Sequence, residues 1–180
     1  DWSSDVCSSD LATLTSTDSG TSGDRVTNVA PVLGVTAESG STVAVTATKD
    51  GSAFTLNTGL SSISGTGSAV SWTPLGASGA ALADGVYIFS FTQTDSAANV
   101  QSTASTLTVT VDTTAPTSTT VSLTSTDSGT SGDRVTNVAP VLGVTAESGS
   151  TVAVTATKDG SAFTLNTGLS SISGTGSAVS

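Results

Sequence analysis

Residues 14–71 recur without a change as residues 123–180, an offset of 109. That makes 58 identities in 58 positions. Just upstream the match stops, where Ala12 and Thr13 stand opposite Val121 and Ser122. A solenoid is built from units of roughly 20–50 residues, so this period is too long for one. It is the size of a single two-sheet β-domain, and the copies are expected to fold as separate beads on one chain. The second copy reaches Ser180, the counterpart of Ser71, so a protein that continues in both directions is expected.

Each copy reads as alternating strands. PVLGVTAE places Leu33, Val35 and Ala37 on one face, and TVAVTAT does the same with Val43, Val45 and Ala47 against threonines. Lys49-Asp50-Gly51 predicts a tight hairpin, because Asp-Gly supplies the positive φ such a turn needs. AVSWT turns Val70 and Trp72 inward, VYIFSFTQT aligns Tyr87, Phe89 and Phe91, and TLTVTV aligns Leu107, Val109 and Val111. With a short strand near Thr13 and AFTLN, about seven strands are expected, with no helical period. The reading is all-β: an immunoglobulin-like antiparallel β-sandwich in tandem repeats. LADGVYIF also puts a tyrosine after a turn at the start of a late strand, as in a tyrosine corner. The second copy has no counterpart of Trp72, of Tyr87 to Phe91 or of the last strand, so unpaired edges and exposed Val and Leu are expected there.

The first eleven residues, DWSSDVCSSDL, differ from everything after them and hold the single cysteine. They lack the charged, apolar and cleavage regions of a signal peptide. They resemble, residue for residue, the translated end of a short-read sequencing adapter. The division expected is therefore 1–11 non-native, 12–111 first repeat and 112–180 second repeat. Without the three acids of that stretch, eleven acidic residues face four basic ones, a net charge of −7 instead of −10. An acidic chain with no basic cluster is a poor nucleic-acid partner. No apolar run approaches 18 residues, so no membrane insertion is expected in this segment.

The series DSGTSGDRVTN, PVLGVTAESGSTVAV, SWTP, LADGVYIFSFTQTDSAANVQS and LTVTVDTTAPT resembles the bacterial Ig-like repeats of giant surface adhesins and biofilm-associated (RTX-type) proteins. The markers are the D-T-T-A-P junction at Asp112 to Pro116, the run from Gly34 to Val43, and L-A-D-G-x-Y followed by T-D-x-A-x-N. One departure is Ala98 where the family often has glycine, which is expected to loosen that turn. The resemblance implies a secreted, cell-surface stalk that spaces an adhesive tip from the cell. Its partners would be neighbouring repeats, with any host or matrix ligand held by other parts of the protein.

Catalysis has little to work with. The chain has no histidine, so no Ser-His-Asp or Cys-His constellation can form, and no G-x-S-x-G, H-E-x-x-H or P-loop motif occurs. The expected cofactor is Ca2+. Asp18, Asp24 and Asn28 share one glycine-rich loop, Asp95 and Asn99 another, and Asp112 lies at the junction before Asp127, Asp133 and Asn137. Flexible acidic loops offer the oxygen ligands a hard cation wants. The same residues can instead close turns through Asx hydrogen bonds. The alternative function is a ligand- or carbohydrate-binding module, for which Phe54 is the one aromatic that could be exposed.

Overall fold

The computed structural model describes residues 11–166, 168 and 170–179; the adapter-like stretch up to Asp10 lies outside them. The chain divides between Thr114 and Ala115 into two compact units.

The first unit is a two-sheet sandwich. Its strands are β1 (Ala12–Leu14), β2 (Val26–Thr27), β3 (Leu33–Thr36), β4 (Thr42–Lys49), β5 (Ser52–Phe54), β6 (Ser62–Ser64), β7 (Ala69–Trp72), β8 (Gly85–Thr94) and β9 (Ser105–Val111). One sheet runs β1-β3-β7; the other runs β2-β9-β8-β4-β5, with β6 also paired to β4. Every pairing is antiparallel except β2 with β9. The long ladder between β4 and β8 sets the register, with Val45 opposite Phe91 and Ala47 opposite Phe89.

The alternation read from the sequence becomes the core. Leu33, Val35, Val43, Val45, Tyr87, Phe89, Phe91, Leu107, Val109 and Val111 are all buried between the sheets. Trp72 packs edge-on against Phe89 and Phe91, with centroids 5.7 and 6.1 Å away, and its buried indole N–H has no partner. The Asp50-Gly51 hairpin takes the expected left-handed pair, φ 49° and 79°.

Two strands go beyond the expected seven. β2 sits inside the glycine-rich loop and is held by backbone bonds, since the Thr110 amide donates to the Arg25 carbonyl and the Asp112 amide to Thr27. β6 lies in SSISGTGS, where the Gly65 amide donates to the Ser41 carbonyl and the Gly40 amide to Gly65. A Cβ on Gly65 would collide with the Glu38 carbonyl and the Ser41 hydroxyl, so this corner requires glycine. Leu11, placed with the adapter-like stretch in the sequence reading, packs against the core, and its carbonyl accepts from the Thr36 amide.

The second unit holds β10 (Thr120–Leu123), β11 (Leu142–Thr145), β12 (Thr151–Ala153), β13 (Ala156–Lys158), β14 (Ser161–Phe163), β15 (Ser171–Ser173) and β16 (Ala178–Val179). One sheet runs β10-β11-β16, and the rest form the two-stranded ladders β12-β15 and β13-β14. Val121, Val135, Val138, Val141, Leu142 and Phe163 are exposed, as the missing strands led one to expect.

Candidate functional site

At the start of β8 the Tyr87 hydroxyl donates to the Ala83 carbonyl at 2.8 Å. This is the tyrosine corner read from LADGVYIF, on the strand that sits between β4 and β9. Burial, the larger cause, and the nearby Asp50 charge push the Tyr87 phenol above its usual range. Lys49 Nζ lies over the same ring, 5.8 Å from its centroid. Phe54 is half-buried and meets Tyr87 edge-to-face at 5.2 Å, so it is part of this packing.

Beside the corner is a residue the sequence reading passed over. Asp84 accepts from the Thr113 amide at 2.9 Å, the Thr113 hydroxyl at 2.7 Å and the Thr114 hydroxyl at 2.5 Å. The Thr114 hydroxyl, then the Thr113 hydroxyl and amide, lower its pKa to about 2. Asp84 thereby clasps the chain just past β9. The signal was available in L-A-D-G and D-T-T, but nothing local shows that they meet 29 residues apart.

The candidate calcium ligands close turns within their own loops. Asp18 accepts from the Gly23 amide, Asp24 from the Val26 amide, and Asn28 from the Ser19 hydroxyl. Asp95 accepts from the Ala97 and Asn99 amides and from the Asn99 side chain, all at 2.8 Å, and the Asn99 side chain leads in lowering its pKa. Asp112 accepts from the Thr114 amide. In the second unit Asp127 accepts from Gly132, Asp133 from Val135, and Asn137 from the Ser128 hydroxyl. Among the described residues no group of three or more His, Cys, Asp or Glu side chains is gathered to hold a metal ion. Asp18 Oδ1 is buried without a hydrogen-bond partner.

Ala98 takes φ 68° despite its Cβ. The turn expected to be loosened is held shut by the three bonds to Asp95.

Two sheets, a buried aromatic strand and a tyrosine corner define an immunoglobulin-like domain. The family of bacterial Ig-like domains matches residues 7–113, and the chain belongs to that family. Domains of this family are in general non-catalytic structural modules of surface or extracellular proteins. No curated protein and no solved structure matches the chain. Among the described residues no helix is long and apolar enough to cross a membrane.

Proposed function

We propose that the chain is a stalk segment of a secreted bacterial surface adhesin, in which repeated domains set the distance between the cell and an adhesive tip. The observation that carries this reading is the exact 58-residue copy of a domain whose large aromatics face its own core. Duplication without change suits a residue-counting spacer. A binding module would need aromatic or polar groups presented outward, and Trp72, Tyr87, Phe89 and Phe91 are all buried. Proteins with two, three and four complete repeats test the reading by small-angle scattering. The ten residues of β8, at ~3.4 Å each, put the length of a domain near 35 Å. The maximum dimension should therefore grow by about that much per repeat; a dimension that levels off would count against a stalk.

Calcium belongs to the same proposal as a stiffening ion. Its supports are the acidic loops and the orphaned Asp18 Oδ1. Those loops supply carboxylate and backbone oxygens, and bound Ca2+ would bring further positive charge to draw them together. At about a hundred times its dissociation constant the ion adds roughly 2.7 kcal/mol to the folded state. Melting in Ca2+ should then lie well above melting in excess chelator. Identical melts would remove calcium from the proposal and leave the stalk intact.

A further inference from the structure

The first unit holds the end of its last strand from two sides. On one side β9 runs parallel to β2, and the Thr110 amide donates to the Arg25 carbonyl at 3.0 Å and the Asp112 amide to the Thr27 carbonyl at 2.9 Å. Tension drawn along the chain pulls β2 back toward Val26 and β9 forward past Val111. In a parallel pair those pulls oppose each other along the strands, so the bonds between them are sheared together. A sheared ladder shares its load, whereas a peeled one gives way bond by bond. β2 is only two residues long, however, and makes a short joint.

On the other side stands Asp84. Its Oδ1 accepts from the Thr113 amide and hydroxyl, and its Oδ2 accepts from the Thr114 hydroxyl. Bonds to an ionised acceptor are stronger than those between neutral groups. Asp84 is itself anchored through its neighbours in sequence. The Ala83 carbonyl accepts from the Tyr87 hydroxyl at 2.8 Å. The Val86 amide donates to Asp50 Oδ1 and the Asp50 amide donates to the Val86 carbonyl, both at 2.9 Å. A Cβ on Gly85 would collide with Lys49 and Asp50, so the chain between these anchors is closely packed. Beyond it β8 carries the fully buried Tyr87, Phe89 and Phe91 and is paired along both edges, with β4 and with β9.

We propose that Asp84 is a load-bearing latch, which passes tension from the chain beyond β9 into the buried strand β8 and spares the short joint with β2. Thr113 and Thr114 lie outside every strand, so without Asp84 the pull falls first on Asp112 and the end of β9. The inference rests on bonds inside one domain, and it holds whether or not the chain spaces an adhesive tip.

The test is constant-force stretching of the full 180-residue chain, tethered at its two ends. Unfolding of the first unit is recognised by the length that residues 12–114 release, roughly 350 Å at about 3.4 Å each. Asp84→Ala should shorten the lifetime of that unit under load by about fivefold or more, the weight of one net hydrogen bond. Thr113→Val with Thr114→Val keeps the shape of both side chains, removes the hydroxyls, and should shorten the lifetime in the same direction. Asp95→Ala is the control. Asp95 also accepts three bonds, but it closes the turn at the far end of β8, away from the pull. Its loss should lower the melting temperature and leave the lifetime under load within about twofold. Forced unfolding follows the unfolding rate and a melt follows equilibrium stability, so the two readings separate a latch from an ordinary turn. A lifetime unmoved by Asp84→Ala would overturn the proposal. So would a loss no greater than that from Asp95→Ala.

Discussion

The stretch from Leu33 to Ser64 and that from Leu142 to Ser173 have one sequence and two structures. In the first unit residues 42–49 form one eight-residue strand; in the second the same residues break into two three-residue strands. Val26 and Thr27 form β2, whereas Val135 and Thr136 are not in a strand. Other parts do not change. The Gly-rich corner closes in both copies, with the Gly65 and Gly174 amides donating to Ser41 and Ser150 at 2.8 Å. Val35 and Val144 are both buried. Local bonds between residues some 25 positions apart suffice for the corner and for the β3-type strand. The long central strand depends on a partner that is 38–52 residues away in sequence, and its continuity comes from β8.

The comparison breaks most visibly under a paired substitution. Leu33→Ala removes a fully buried side chain and should cost about 2–5 kcal/mol. The main melting transition would then fall by roughly 8 °C or more. Leu142→Ala, in identical local sequence, should change stability by less than about 0.5 kcal/mol, as at an ordinary surface position. Because the neighbouring sequence is shared, the difference isolates tertiary context from the unfolded chain. Equal shifts would mean that the second copy is packed as the first.

Much of this was legible before the structure. Period-two alternation named the buried faces of β3, β4, β8 and β9, and Asp50-Gly51 named its own turn. Tyr87 was readable as a corner because the turn that precedes it is local. What was not legible was pairing at a distance. β2 is two residues long and exists only through bonds to β9, so no pattern inside the loop announces it. Asp84 looks like any turn aspartate until Thr113 and Thr114 are brought to it. The acidic loops showed the opposite limit. Their composition suited both a cation and Asx turns, and the structure shows turn bonds in each loop while leaving Asp18 Oδ1 without a partner.

A smaller effect concerns a turn found only in the first unit. Ala98 holds a left-handed conformation that costs a residue with a Cβ about 1 kcal/mol. Glycine relieves that strain but gives back part of the gain as unfolded-state entropy. Ala98→Gly should therefore stabilise the first unit by about 0.5 kcal/mol, read as a small rise in its denaturation midpoint. A fall would mean that the Asp95 bonds, more than backbone conformation, govern the turn.

The smallest effect is also the most specific, because the second copy has no counterpart of Asp84 within these residues. Three hydrogen bonds from Thr113 and Thr114 favour the carboxylate and bring its pKa from 3.8 to about 2 in the folded state. A group whose pKa is lowered by folding binds fewer protons folded than unfolded. Its contribution is therefore complete above the unfolded value and drains away as pH falls through 4 toward 2. Asp84→Asn keeps the shape and removes the charge. The gap in melting temperature between the natural chain and Asp84→Asn should be constant above about pH 5 and narrow steadily below pH 4. The other carboxylates titrate in both proteins and cancel from the difference. Parallel curves down to pH 2 would show that the clasp holds the end of β9 by shape alone, with the charge on Asp84 adding nothing to the first unit.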